Sequence, residues 1–322
     1  MIGLDELAEQ ASSVGGNMLC DVTSTPRVTP VRARAGDDPA EILQFAVEAM
    51  RCGGAALATL VEIRGGAARA LGAHVAVAAD GRYCGYVSGG CVETAVAAEA
   101  LEAIAEGVDR IVKFGEGSPF FDIALPCGGG ITVAIHVLRA VDPIAGILAA
   151  ISKRQSAGLV LDTEAQQLTL SDRIPARCGW RGGEFLTVYR PQTRLVVSGQ
   201  TGEVEVVCRL AEAAGYQVVC GDQEAQLNID PFTAVVLLHH DLDREMHVLD
   251  KALSSPAFYI GALGSTRTHR LRVERLRSNG VPAESFNRIK APIGIFGPTR
   301  DAVSLAISIL ADVAAARLEA LA

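Results

Sequence analysis

The hydrophobic pattern of the chain changes character near residue 190. Before that point, "AALATLVEI", "AHVAVAAD" and "GGGITVAIHVLRAV" are apolar runs typical of buried strands, and the pair Asp80-Gly81 predicts a hairpin turn. Asp38 followed by Pro39 predicts a helix start, with a carboxylate N-cap and a proline at the first helical position. Beyond residue 190, strands and helices alternate regularly from "RLVVSG" to a long final helix. That alternation is typical of a doubly wound parallel sheet.

The pattern therefore predicts an α/β protein with two folded parts. A mixed α+β domain is expected over 39–143 and a doubly wound parallel-sheet domain over 192–322, with a connecting helix and short strands over 144–191. Residues 1–38 lack a strong pattern and are expected to be loosely ordered. After the hairpin, "RYCGYVSGG" is expected to continue as a strand. A length of 322 residues is enough for two domains with cores of their own.

Composition and charge exclude several classes of partner. A net charge of −8 argues against non-specific nucleic-acid binding, and the low aromatic content of 5% argues against stacking of bases. We find no apolar run long enough to span a membrane and no signal-peptide pattern at the N-terminus. The eight cysteines form no CxxC pair, which makes a zinc ribbon or a disulfide scaffold a poor interpretation. The sequence predicts a cytoplasmic protein with reduced thiols.

The stretch "SGGCVE" is the first candidate site. Gly89 and Gly90 allow close approach of a ligand, and the helix that follows offers unpaired N–H groups suited to an anion. The same field favours the thiolate form of Cys91, which is the form that binds metals. Ser88 belongs to the same corner, and Glu93, one turn into the helix, could cap it or accept a proton. Taken alone, the segment fits equally well a cysteine buried beside a tight turn.

A second cysteine lies in a similar corner. In "LPCGGGITV", Cys127 precedes Gly128 and Gly129 at the start of a strand. Packing alone does not readily explain two Cys/Gly corners at strand ends in one domain. We therefore expect the two thiols to face a shared crevice.

These motifs resemble the xanthine dehydrogenase accessory family (XdhC/CoxI). The resemblance is carried, over roughly residues 40 to 318, by "GYVSGGCVE", "LPCGGGITVAI", "FYIGALGSTRTHRLRVERL" and "IKAPIG". Members are maturation factors that hold the molybdenum cofactor, a phosphorylated pterin dithiolene, while a desulfurase installs a sulfido ligand. They then pass the cofactor to an apo molybdenum hydroxylase. The resemblance thus implies a Rossmann-like second domain and a carrier and chaperone rather than an enzyme.

The resemblance also implies partners and ligands. The partners would be a xanthine dehydrogenase-like apo-hydroxylase, a cysteine desulfurase and a second copy of the chain in a homodimer. Cys91 and Cys127 would hold the metal end of the molybdopterin cofactor, while glycine N–H groups would hold its phosphate. Which cysteine is the ligand, and whether the cofactor is a dinucleotide, stay open at this point.

The second domain departs from the usual dinucleotide fingerprint. Gly199 takes the first glycine position, but Thr201 and Val204 stand at the second and third, where a Thr side chain should obstruct a pyrophosphate. Asp222 still matches the acidic residue that holds a ribose hydroxyl. These departures argue against NAD(P) binding. An NAD(P)-dependent oxidoreductase and a docking protein without cofactor remain the alternatives.

The stretch "YIGALGSTRTH" is a stronger candidate in this domain. A predicted strand ends at Gly261. A helix then starts at Gly264 and Ser265, and Arg267 follows in its first turn. As in the first corner, the start of a helix offers N–H groups suited to an anion. Of the adjacent histidines in "LLHHDLDREMH", one is expected near the crevice, without a metal. A solvated basic helix face is the preferred interpretation of Arg270, Arg272, Arg275 and Arg277.

Overall fold

The computed structural model describes residues 28–116, 118, 128–200, 202–220 and 228–320. The first of its three sheets has the strand order β1-β4-β3-β2-β6-β5. Its strands are β1 (Val31–Arg34), β2 (Ala55–Arg64), β3 (His74–Ala78), β4 (Arg82–Gly85), β5 (Arg110–Gly115) and β6 (Gly130–Val137). All neighbouring strands are antiparallel except β1 and β4.

Alternate positions along these strands face opposite layers. On β2, Ala58 and Leu60 pack against helix α2 (Glu93–Glu106), whereas Leu57 packs on the opposite side with helix α1 (Pro39–Arg51). The predicted start of α1 is confirmed, because the Asp38 side chain accepts a hydrogen bond from the Ala40 N–H at 3.2 Å. The sheet is thus buried on both faces.

Two sequence predictions in this region need correction. Residues 31–34 are not loosely ordered but form β1, which pairs in parallel with β4. The hairpin at Asp80-Gly81 is confirmed, since β3 and β4 pair antiparallel around it. However, β4 ends at Gly85 and does not run into the glycines of "SGG". The chain leaves the sheet there because the following amides bond to a side chain instead of a neighbouring strand.

Residues 142–189 form helix α3 and a second sheet. The elements are α3 (Asp142–Ser152), β7 (Ala157–Asp162), β8 (Gln167–Ser171), β9 (Gly179–Arg181) and β10 (Glu184–Tyr189), with the antiparallel order β8-β7-β10-β9. Leu161 and Phe185 pack against Val61 and Ala134 of the first sheet. The segment predicted as a connector therefore contributes to the core of the N-terminal half.

The third sheet confirms the predicted doubly wound fold. Five parallel strands follow the order β12-β11-β13-β14-β15. They are β11 (Arg194–Ser198), β12 (Gln217–Cys220), β13 (Thr233–Leu237), β14 (Tyr259–Ala262) and β15 (Ile289–Lys290). The helices are α4 (Gly202–Ala213), α5 (Leu242–Leu253), α6 (Thr266–Ser278), α7 (Ala283–Phe286) and α8 (Ala302–Ala320).

Helices cover both faces of this sheet. α4 and α8 pack on one face, and α5 and α6 pack on the other. The connections leave β11 and β13 in opposite directions, which opens a crevice between the carboxyl ends of these neighbouring strands. Among the described helices, none combines the length and apolar character that crossing a bilayer would require.

Candidate functional site

Three glycine-containing loops meet at one edge of the first sheet. The antiparallel register pairs Gly85 at the end of β4 with Val75 near the start of β3. It also pairs Arg64 at the end of β2 with Gly130 at the start of β6. The loop 86–92 and Gly128 and Gly129, which directly precede β6, therefore lie at the same edge.

A third loop, 65–73, lies between these corners. A methyl group added at Gly89 would lie 3.4 Å from Ala68 Cβ, so the loop contacts the "SGGC" corner. On the other side, a methyl group at Gly129 would lie 2.5 Å from the Arg64 carbonyl oxygen and 2.7 Å from that of Gly66. Only glycine fits this approach. The candidate residues chosen from the sequence did not include this loop, although its own glycines, in "RGGAARALG", were a visible signal.

Cys91 is exposed on the loop that follows β4. Gly89 and Gly90 have φ values of 104° and 123°, a region that favours glycine, and a side chain at Gly90 would meet no atom within 4 Å. Helix α2 begins two residues after the cysteine, at Glu93. These positions exclude the interpretation of Cys91 as a buried packing residue.

The Glu93 carboxylate lies beneath this loop. Its side chain is fully buried, and Oε1 accepts hydrogen bonds from the backbone N–H groups of Val87 (3.0 Å), Ser88 (2.8 Å) and Gly89 (3.1 Å). Burial alone would raise the pKa of Glu93, but hydrogen bonds from backbone N–H groups and from the Ser88 hydroxyl lower it. The expectation that the Gly89 N–H would hold a phosphate is thereby corrected, because this group already donates to Glu93.

Ser88 connects Glu93 to the cysteine. The Ser88 hydroxyl lies 3.0 Å from both carboxylate oxygens of Glu93, to which it donates. The same Oγ accepts from the N–H groups of Cys91 at 3.2 Å and Val92 at 3.3 Å. The turn that carries Cys91 is therefore tied to a buried charge.

The crevice of the third sheet is lined by a serine and a histidine. Ser198 Oγ, at the end of β11, lies 2.8 Å from His239 Nε2, just beyond the end of β13. The neighbouring His240 is exposed. A methyl group at Gly199 would lie 2.8 Å from Val204 Cγ2, so the third fingerprint position packs directly onto the first. In the usual dinucleotide fingerprint the third position is a glycine, which leaves space beside the first glycine. Here the side chain of Val204 fills that space.

The turn from β14 to α6 contains the remaining predicted residues. Ser265 is the N-cap of α6, and its Oγ accepts from the Thr268 N–H at 3.2 Å. Gly264, with φ of 126°, precedes it, and Arg267 is exposed in the first turn. Gly261 differs from the prediction. A methyl group there would lie 2.5 Å from Ile293 Cδ1, so this glycine is part of the core and does not face a ligand.

Arg272 contradicts the predicted solvated helix face. It is fully buried, and its guanidinium donates to the Glu245 carboxylate and, at 2.8 Å, to the Leu263 carbonyl oxygen. Its other basic neighbours on α6 are exposed, as predicted: Arg270, Arg275 and Arg277. The buried pair joins α5 to α6 at the end of β14.

Comparison with known proteins identifies the family. Residues 51–115 match the XdhC and CoxI family, and residues 195–313 match the XdhC Rossmann domain. The molybdenum cofactor insertion chaperone PaoD of Escherichia coli (strain K12) is 50% identical over 90% of this chain and 92% of its own length. The chain belongs to the XdhC and CoxI family.

More distant relatives agree with this assignment. A probable xanthine dehydrogenase subunit of Bacillus subtilis (strain 168) is 23% identical to this family member over 80% of the chain and 92% of its own length. A crystal structure of a xanthine dehydrogenase from Bacillus halodurans superposes with a TM-score of 0.67 at 20% identity, covering 86% of this chain and 96% of the other. The structural likeness shows that the fold is shared.

The XdhC and CoxI match includes Cys91 and its loop, and the Rossmann match includes the whole edge of the third sheet. Two predicted residues, Cys127 and Asp222, lie outside the described residues, as does Thr201. Gly128 is described and exposed, and a side chain there would meet no atom within 4 Å. Within the described part of the chain, no hydrogen bond or ion pair joins the Cys91 loop to the edge of the third sheet.

Proposed function

We propose that this protein holds the molybdenum cofactor for sulfuration and inserts it into a xanthine dehydrogenase-like molybdenum hydroxylase. The observation that carries the proposal is the exposed thiol of Cys91, which lies on a hydrogen-bonded glycine turn at an open sheet edge. A relative with half of its residues identical bears the name of a molybdenum cofactor insertion chaperone. The role is that of a carrier rather than a catalyst.

The residues present fit such a cofactor. A cysteine thiolate is a soft ligand and suits a metal with sulfur ligands, and a single adjustable ligand allows release as well as binding. Gly90 and Gly128 border open space, so a bulky group can approach both corners. In our proposal Cys91 holds the metal end, with Cys127 as the second candidate ligand. When bound, the cofactor carries the molybdenum chemistry that the hydroxylase uses, and the chain's own task is to grip and orient it.

The phosphate end needs donors other than the amides that Glu93 occupies. We assign it to the turn of Gly264, Ser265 and Arg267, because an exposed guanidinium lies there beside a helix N-terminus that favours anions. We assign no part of a nucleotide to the turn of Gly199, although the sequence offered Gly199 and Asp222 for one. The valine packed onto Gly199 argues against the alternative of an NAD(P)-dependent oxidoreductase.

The remaining partners belong to the same proposal. We expect a cysteine desulfurase to act on the held cofactor, and a homodimer is supported by exposed apolar side chains beside and along α8. These are Ile295, Phe296, Val303 and Ile307. A cytoplasmic location is supported by thiols that form no disulfide, namely those of Cys52, Cys84, Cys91, Cys178 and Cys220.

The test is titration of the purified protein with molybdenum cofactor. Mutation of a residue that only supports a metal ligand weakens metal binding roughly 10–100-fold. Cys91→Ser removes the proposed ligand itself and should weaken cofactor binding by more than that. Cys52→Ser is the matched control, because Cys52 is also exposed but ends helix α1. Metal analysis and pterin fluorescence after oxidation measure the bound cofactor. Unchanged binding in the Cys91→Ser, Cys127→Ser double variant would refute the thiolate role, and hydroxylase binding without cofactor would favour the docking protein.

A further inference from the structure

Glu93 is a buried carboxylate whose lost hydration is replaced by hydrogen bonds from the neighbouring loop. Its side chain is fully buried, and among the described residues no Lys, Arg or His pairs with it. Moving an anion out of water is costly unless hydrogen bonds replace the lost solvent. Here three loop N–H groups and the Ser88 hydroxyl supply them. The carboxylate and the loop conformation therefore depend on each other.

The turn itself has little else to hold its shape. A side chain added at Gly90 would meet no atom within 4 Å, and Cys91 is exposed. The backbone of Gly89 and Gly90 has access to conformations that other residues lack, so the free chain would sample many shapes. The hydrogen bond from the Cys91 N–H to Ser88 Oγ links the cysteine to the buried charge.

We propose that Glu93 is a positioning residue that acts through Ser88 to hold the Cys91 thiol outward at the sheet edge. This inference rests on the proposed function, in which Cys91 binds the metal end of the cofactor. A loop ordered before the ligand arrives loses less conformational entropy on binding. Glu93 itself does not touch the cofactor in this scheme, which replaces the sequence-based expectation that it would.

The test compares Glu93→Gln, Ser88→Ala and the control Glu99→Gln. Glu99 lies on the same helix, and its carboxylate pairs with Arg110 at 2.9 Å, away from the loop. Gln keeps the size of Glu but places an NH₂ group against the Ser88 hydroxyl, and Ala removes that hydroxyl. We expect both variants to weaken molybdenum cofactor binding at least about tenfold, as is typical when a residue that supports a metal ligand is changed. The control should bind the cofactor like the wild type.

Alkylation by iodoacetamide provides a readout that a general loss of stability does not move. Peptide-resolved mass spectrometry gives the rate at Cys91 relative to exposed Cys52 in the same molecule. The ratio should change in Glu93→Gln and Ser88→Ala, because the loosened loop no longer holds the Cys91 thiol in one position, and should stay constant in Glu99→Gln. An unchanged ratio together with unchanged binding would overturn the positioning role. If the wild type binds no cofactor, the proposed function fails, and the alkylation ratio still decides whether Glu93 orders the loop.

Discussion

A buried histidine makes the stability of the N-terminal half depend on pH. His74 on β3 is buried, with Nδ1 3.0 Å from Thr59 Oγ1 and Nε2 2.5 Å from the Tyr189 hydroxyl on β10. Burial in this setting lowers the pKa of His74 from 6.5 to about 4. Because Tyr189 belongs to the second sheet, the neutral imidazole joins the two sheets.

The size of the effect follows from the two pKa values. The unfolded chain binds a proton at His74 near pH 6.5 and the folded chain only near pH 4, so the unfolded state binds more protons between these values. The stabilisation is present in full above pH 6.5 and is lost as the pH falls towards 4. One pKa unit corresponds to about 1.4 kcal/mol, which makes the loss about 2.5 kcal/mol by pH 4.5.

The assay is urea unfolding at several pH values, followed by the fluorescence of Trp180. This residue is the single tryptophan of the chain, and its indole N–H donates to the Val61 carbonyl oxygen at 3.0 Å across the same two sheets. His74→Gln removes the titrating group and leaves the other histidines in place. We expect the wild type to lose about 2.5 kcal/mol more than the variant between pH 7.5 and 4.5. Equal losses in both proteins would refute the reasoning.

Two other substitutions test the packing that supports the sites. Glu245→Gln leaves the buried Arg272 without a counter-charge and should cost about 3–5 kcal/mol in urea unfolding followed by circular dichroism, whereas Glu274→Gln on exposed α6 surface should cost almost nothing. Gly85→Ala forces a methyl group against the His74 carbonyl oxygen at a φ of 103°, and a loss of about 2 kcal/mol or more is expected from the same measurement.

Elements with a local signal were predictable from the sequence. The cap and proline of α1, the hairpin at Asp80-Gly81 and the alternation of the last third each depend on neighbouring residues alone. β1 was missed because "VRAR" is only four residues long and its apolar positions, Val31 and Ala33, are exposed, so its place comes from backbone pairing with a distant strand. The second sheet was predicted as short strands, but its packing on the first sheet depends on Phe185 and Val61, which are far apart along the chain.

The same distinction applies to the side chains of the sites. The glycines beside Cys91 fitted a buried and an exposed cysteine equally well, and its exposure comes from the structure. Arg272 was predicted to be solvated because its spacing matches that of its basic neighbours, yet its partner Glu245 lies on another helix. Nothing in the local pattern separates Arg272 from Arg270 or Arg275.

The corner around Cys91 shows how one motif can satisfy two interpretations. Glycines followed by a helix start predict free amides that await an anion, and the structure does contain converging amides and an anion. The anion is Glu93, supplied by the same six-residue stretch, so the amides are satisfied within the protein. A corner that already contains its own carboxylate has no need of a phosphate there. In our proposal it instead holds the exposed thiol of Cys91 in a fixed position, as a soft ligand for a metal–sulfur group needs.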